Sequence, residues 1–185
     1  MKKIISLEGG WAGGKTSILK ELQANNEKVF CSIVPLIYEM KGRETYSPRD
    51  NPEEFTNLFL QLKDQQFNDA LLSNANTMYF DRVFFAPIVL RKFFHLEVPG
   101  VFYDLAKRVN IHEQVFLVEP IPFENHKNGW PRKFFSYEES LKYHSITRDV
   151  ITELGYSICV VPYSSSIKER AEFIQNILKV KEGRS

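Results

Sequence analysis

A lysine and a threonine follow a run of glycines near the start of the sequence, and residues of these types at this spacing can hold a triphosphate. The segment matches the pattern G-x-x-x-x-G-K-[ST] in full, with Gly9, Gly10, Trp11, Ala12, Gly13, Gly14, Lys15 and Thr16. Glycines let successive backbone amides point at phosphate oxygens, and a helix N-terminus adds about half a positive charge. We expect Lys15 to reach the β and γ phosphates and Thr16 to offer its hydroxyl to Mg²⁺. The alternative is a glycine-rich turn that only joins a strand to a helix, which would leave Lys15 an unpaired cation.

A second chemical group stands at the end of an apolar run. Residues 77–80 predict a strand, and Asp81 follows at the carboxyl end, where ligands bind in open α/β sheets. Such an acid can hold Mg²⁺ through water or take a proton from an acceptor hydroxyl. Arg82 stands where ring-forming ATPases usually place a Glu, and its planar guanidinium suits a second anion or a transferring phosphoryl group. The alternatives are a turn-capping aspartate and a surface ion-pair arginine.

The segment at about 120–136 is rich in proline and basic residues. It holds three prolines, Gly129, Lys127, Arg132 and Lys133. This composition predicts a lid that excludes water and adds positive charge during phosphoryl transfer. A basic surface loop is the alternative.

Alternating strands and helices must position these groups. Apolar runs predict strands at 3–7, 29–34, 77–80, 114–118 and 156–161, and helical spacing predicts helices from Thr16, at 51–74, 86–95, 101–109, 138–154 and 166–180. Residues 36–51 show no clear period and are predicted to be a loop or broken helix after Pro35. The alternation predicts an α/β fold in three layers, with a parallel sheet covered on both faces.

Length, composition and charge limit the class of protein. With 185 residues and 43% apolar content, the chain predicts one domain at 1–180, a short tail at 181–185 and an acceptor-side insertion at about 36–75. The 24 Lys and Arg nearly balance the 23 Asp and Glu, which argues against nucleic-acid and membrane partners. The distant Cys31 and Cys159 favour reduced thiols, so we expect a cytoplasmic protein.

Short motifs are spread along nearly the whole chain. Leu7-Glu8-Gly9, Gly14-Lys15-Thr16 and Asp81-Arg82 resemble the corresponding motifs of thymidylate kinases, within the nucleoside and nucleotide kinase branch of P-loop proteins. Residues 115–120, 129–132, 154–156 and 161–162, with Glu169-Arg170, are similar to a small family of AAA-labelled ATPases. That family includes the ribosylnicotinamide kinase domain of bacterial NAD regulators.

The resemblance implies more than the residues alone do. It implies a five-stranded sheet in the order 2-3-1-4-5, with Arg132 in a lid over the phosphates and Arg170 near the nucleotide base. It places Gln65 facing the acceptor. Relatives often carry an acid directly after the proline that ends strand two, where this chain has Leu36. Glu39 either substitutes for that acid or is a solvated loop residue.

These patterns predict a P-loop kinase that uses ATP or GTP and Mg²⁺ to phosphorylate a nucleoside, nucleotide or related metabolite. Lys15, Asp81, Arg82 and Arg132 are the predicted catalytic residues, and Thr16 and Asp81 are the predicted metal ligands. Glu39, Gln65 and Arg82 are predicted to contact the acceptor. The alternative is a nucleotide-gated switch with weak NTPase activity, in which 36–51 and 120–136 change shape to recruit a partner. The sequence leaves a homodimer open.

Overall fold

The structure is a computed structural model that describes residues 2–42, 46–108, 114–122, 135–163 and 166–182. Within these ranges, strands and helices alternate along most of the chain. The strands are β1 Lys3–Glu8, β2 Lys28–Phe30, β3 Thr77–Asp81, β4 Gln114–Val118 and β5 Ser157–Val161. The helices are α1 Lys15–Ala24, α2 Val34–Lys41, α3 Pro52–Leu72, α4 Phe85–Phe93, α5 Gly100–Arg108, α6 Tyr137–Glu153 and α7 Ile167–Glu182.

The five strands form one parallel sheet in the order β2-β3-β1-β4-β5, which confirms the expected order. Strand β1 lies at the centre, with Leu7 opposite Asp81 on β3. Parallel strands end at the same edge of the sheet. The loop that follows β1 and the acid that ends β3 therefore leave the sheet side by side.

Successive residues of the strands pack into separate cores on the two faces of the sheet. Ile4 joins a core built with α2 to α6, whereas Ile5 joins a core built with α1 and α7. This alternation follows from the two-residue period of a strand. The predicted three-layer α/β arrangement is confirmed.

The predicted second strand at 29–34 is wrong beyond Phe30, because a helix begins at Val34. Pro35 stands in the first turn of α2, where its missing N–H costs no helical hydrogen bond. Ile37 and Tyr38 are buried on one side of this helix. Residues 36–41 are therefore helical, which agrees with the broken helix that is one of the two predictions for 36–51.

The ends of two predicted segments also need comment. Helix α7 continues to Glu182, so the tail predicted at 181–185 begins two residues too early. Residues 123–134, the larger part of the predicted lid, lie outside the described residues. Among the described helices, none is long and apolar enough to cross a membrane.

Candidate active site

Residues 9–16, the predicted phosphate-binding loop, have a backbone path that side chains would block. Gly9 has a φ of +118°, and a Cβ there would lie 2.5 Å from the Val118 carbonyl oxygen. A Cβ on Gly10 would lie 2.6 Å from both the carbonyl and the hydroxyl oxygen of Ser140. The loop therefore packs directly on the end of β4 and the start of α6, which requires glycine at both positions.

The Lys15 ammonium lies inside the curl of this loop. Its side chain is only 4% exposed, and Nζ donates to the carbonyl oxygens of Gly10 at 2.5 Å and Gly9 at 3.1 Å. Burial, together with the Arg82 charge, lowers the pKa of Lys15 to about 7. An anion in the loop would favour the charged form of Lys15.

Thr16 and Asp81 meet across the gap between α1 and β3. The Thr16 hydroxyl donates to Asp81 Oδ2 at 2.9 Å, and Asp81 is 2% exposed. Asp81 Oδ1 is buried and makes no hydrogen bond to any described residue, although it lies 3.5 Å from Arg82 Nη1. These oxygens fit a hard cation such as Mg²⁺. No group of three or more His, Cys, Asp or Glu residues placed to hold a metal occurs in the described part of the chain.

Arg82 turns back from the end of β3 toward the phosphate-binding loop. Its backbone is left-handed, with a φ of 62°, and Nη2 donates to the Gly9 carbonyl oxygen at 3.3 Å. Its guanidinium also lies 5.7 Å from the centre of the Tyr143 ring on α6. Gly9 O therefore accepts hydrogen bonds from both Lys15 and Arg82, which places two cations at the start of the loop.

Arg170 lies behind the loop, where it braces the backbone. It is fully buried, and Nη1 donates to the Gly13 carbonyl oxygen at 2.7 Å. Nη2 donates to the carbonyl oxygens of Glu119 at 3.1 Å and Val161 at 3.5 Å. The expected place of Arg170 near a nucleotide base stays a prediction.

Trp11 faces an aromatic cluster rather than the sheet edge. Its ring stacks on Phe135 with 3.8 Å between centroids and meets the edge of Phe93 at 5.2 Å. Ser140 Oγ donates to the Trp11 carbonyl oxygen at 2.7 Å. The loop is thereby attached to residue 135, the first described residue after 123–134. Arg132 lies outside the described residues.

The residues expected on the acceptor side are not drawn into the site. Gln65 on α3 and Glu39 on α2 are exposed, and so is Leu36, at 43%. Lys63 instead points inward from α3 and donates to the Asp81 carbonyl oxygen at 3.2 Å. Two residues along a helix correspond to about 200°, which places Gln65 on the opposite side from Lys63.

Sequence reasoning missed Lys63 and gave Glu8 no role, although both are buried beside Asp81 and Arg82. Lys63 is four residues after Phe59 on the apolar stripe of α3, and a lysine in such a stripe is a detectable signal. Glu8 ends a strand that is otherwise buried and apolar. A carboxylate at that position must find buried hydrogen-bond donors.

Comparison with protein families places most of this chain in one of them. The family described as AAA domain matches residues 4–170. No curated protein matches the sequence.

Several solved structures share the fold at low sequence identity. A deoxyadenosine kinase from M. mycoides, with dCMP and a flexible dCDP bound as products, is 15% identical with a TM-score of 0.70, over 96% of this chain and 99% of that one. A thymidylate kinase from Ehrlichia chaffeensis is 11% identical with a TM-score of 0.63, over 96% and 98%.

A third match involves only part of a larger protein. A NadR protein in complex with NR is 10% identical with a TM-score of 0.70, over 95% of this chain. This chain spans 51%, about half, of that NadR chain. The likeness to all three structures concerns the fold.

Proposed function

This chain belongs to the AAA domain family, and from that premise we propose that it is an ATP- or GTP-dependent phosphotransferase with a small acceptor. We infer that the acceptor is a nucleoside, nucleotide or related metabolite. One observation carries the proposal: Lys15 and Arg82 both donate to the Gly9 carbonyl oxygen at one edge of the sheet, where Thr16 also donates to Asp81. The similar solved structures of a deoxyadenosine kinase and a thymidylate kinase support it.

The phosphate-binding loop holds the donor in this proposal. Phosphate oxygens take the hydrogen bonds that Lys15 and Arg82 now give to the carbonyl oxygens of Gly9 and Gly10. Both cations exchange a carbonyl partner for a charged one, which strengthens each hydrogen bond. The braced loop needs little reorganisation because Arg170 already fixes Gly13 from behind.

Asp81 and Thr16 form the metal side of the site. Their oxygens would hold Mg²⁺, which would offset the charge of the phosphates. Asp81 also stands where a carboxylate can accept the proton of an acceptor hydroxyl. Arg82 balances the negative charge that develops as the phosphoryl group moves, and we propose the same role for Arg132 in the lid.

A nucleotide-consumption assay tests the proposal. Turnover of ATP and GTP would be measured with and without a panel of nucleosides, nucleotides and other hydroxyl-bearing metabolites, and the phosphorylated product would be identified by mass spectrometry. We expect one acceptor class to stimulate turnover. Triphosphate-dependent capture of a partner, with no stimulation by any acceptor, would instead support a nucleotide-gated switch.

The lid has its own test. We expect Arg132→Ala to lower acceptor-stimulated turnover on the order of a thousandfold, as for other arginines that stabilise phosphoryl transfer. Lys133→Ala is the matched control, because it removes a neighbouring charge without removing a guanidinium. Unchanged turnover in Arg132→Ala would show that this residue takes no part in transfer.

A further inference from the structure

The turn at Arg82 adopts a backbone conformation that its neighbours must hold in place. A left-handed conformation is strained for a residue other than glycine because its Cβ crowds the following carbonyl oxygen, and Arg82 has a φ of 62°. Its N–H donates to the Leu7 carbonyl oxygen at 3.1 Å. That hydrogen bond continues the pairing of β1 with β3 but does not fix the residue that follows.

Glu8 holds the peptide group that follows Arg82. The Val83 N–H donates to Glu8 Oε1 at 2.7 Å, and the Ser6 hydroxyl donates to the same oxygen at 2.6 Å. Glu8 is 1% exposed, and both hydrogen bonds to its Oε1 come from the protein itself. Its hydrogen bonds serve the backbone beyond Arg82.

Lys63, on helix α3, holds the peptide group that precedes Arg82. Its ammonium is fully buried and donates to the Asp81 carbonyl oxygen at 3.2 Å and to Gln66 Oε1 at 2.7 Å. Gln66 in turn donates to the Cys31 carbonyl oxygen at 2.9 Å. Helix α3 thereby connects the residue after β2 to the last residue of β3.

We propose that Glu8 and Lys63 are positioning residues that hold the Asp81-Arg82 turn against the phosphate-binding loop. The two side chains fasten the peptide groups on either side of Arg82. Loss of either one lets the backbone relax toward the right-handed region and withdraws the guanidinium from Gly9. Their effect on phosphoryl transfer rests on the proposed function, whereas their effect on the turn does not.

Kinetics test whether the two residues act through Arg82. We expect Glu8→Ala and Lys63→Met to lower kcat about tenfold to a hundredfold, the scale of a hydrogen bond to a charged group. The KM for the nucleotide should rise by less than kcat falls, since Lys15 stays in the loop when Arg82 withdraws. Glu8→Gln should recover most of the rate, because its amide oxygen still accepts from Val83 N–H.

A double-mutant cycle separates positioning from a general loss of structure. In an Arg82→Ala background, Glu8→Ala and Lys63→Met should each cost less than about twofold more, because the group they position is gone. If kcat in the double variants instead falls by the product of the two single-variant factors, the proposal is overturned. Should Glu8→Ala fail to fold, Ser6→Ala replaces it, since it removes one of the two hydrogen bonds to Glu8. Its smaller loss should likewise vanish in the Arg82→Ala background.

Crystal structures of the variants give a readout that needs no activity. In Glu8→Ala and Lys63→Met, or in Ser6→Ala if needed, we expect Arg82 to leave the left-handed region and its guanidinium to move away from Gly9 O. An unchanged turn in all of them would overturn the proposal. A wild-type protein without acceptor-stimulated turnover would remove the proposed function, while these structures would still decide the role of Glu8 and Lys63.

Discussion

At the carboxyl edge of the sheet, the charged side chains of Lys15, Asp81 and Arg82 are buried and hydrogen-bonded within the protein, whereas Glu39 and Gln65 on the acceptor side are exposed. Lys15, Asp81 and Arg82 each have a partner on the loop or on the helix that follows it. Glu39 and Gln65 stand exposed on two helices that flank this edge. Both regions belong to the proposed site, but only the first is held rigid by the fold.

The difference between the two regions matches the difference between the two ligands of the proposed site. Phosphate groups are the same in every nucleotide, so they can be met by fixed amides and buried cations. An acceptor differs from one enzyme to another and is met by side chains on helix surfaces, which can change without disturbing the sheet.

The largest effect is expected at Arg82. Arg82→Ala should lower acceptor-stimulated turnover on the order of a thousandfold, because the guanidinium balances charge that is largest in the transition state. Arg82→Lys should recover only part of the rate, because it keeps the charge but not the planar fork. Steady-state kinetics on the purified variants measures both. A rate within threefold of the wild type in Arg82→Ala would show that the edge is structural rather than catalytic.

Lys15→Ala is expected to abolish triphosphate binding under ordinary conditions. Loss of hydrogen bonds between an ammonium and phosphates corresponds to about a hundredfold or more in affinity. Isothermal titration with ATP and GTP measures it. Lys20→Ala, on the exposed side of the same helix, is the matched control and should bind normally. Equal affinity in the two variants would contradict the assignment of the loop.

The buried carboxyl of Glu8 should make the unfolding free energy of the protein depend on pH. Burial raises the pKa of Glu8 to about 7, above 4.5 for an ordinary glutamate. Between pH 4.5 and about 7, the Glu8 carboxyl is therefore protonated in the folded chain but ionised in the unfolded chain. Its stabilising contribution is complete below pH 4.5 and is lost as the pH rises through about 7.

Relative to Glu8→Gln, the wild type should lose on the order of 3 kcal/mol of unfolding free energy across that range. Urea unfolding of both proteins at several pH values measures the difference. The exposed Glu97, changed to Gln, serves as control and should show a much smaller trend. Parallel pH profiles for the wild type and Glu8→Gln would contradict the buried-proton assignment.

The smallest effects are expected on the acceptor side. Glu39→Ala and Gln65→Ala should change the acceptor KM by no more than about threefold, because exposed single contacts contribute little. Nucleotide affinity should not change. A tenfold or greater rise in acceptor KM for either variant would show that this side closes onto its ligand and would contradict the contrast between the two regions.

Much of the edge could be predicted because its constraints are local or periodic. The loop spacing, the apolar run before Asp81 and the alternation of strands with helices each depend on neighbours within about thirty residues. The sheet order came from the resemblance, since periodicity alone cannot arrange strands. The chemical roles of the individual residues remain predictions.

The sequence pattern failed where tertiary contacts override it. Ile33, Ile37 and Tyr38 fit a buried helix face as well as a strand, and Pro35 can either end a strand or begin a helix. Lys63 and Glu8 went unnoticed because their partners, Asp81 and Val83, are 18 and 75 residues away. The role of a buried charged residue can be assigned only when its partner is known.

Arg170 sets an order of events during synthesis. The loop it braces leaves the ribosome early, whereas the hydrogen bond from Arg170 to Gly13 spans 157 residues. We therefore expect the nascent chain to acquire full nucleotide affinity only after α7 has emerged and docked, because contacts of such long range form late. Until that moment the growing polypeptide would carry an intact glycine motif that cannot yet hold a triphosphate firmly.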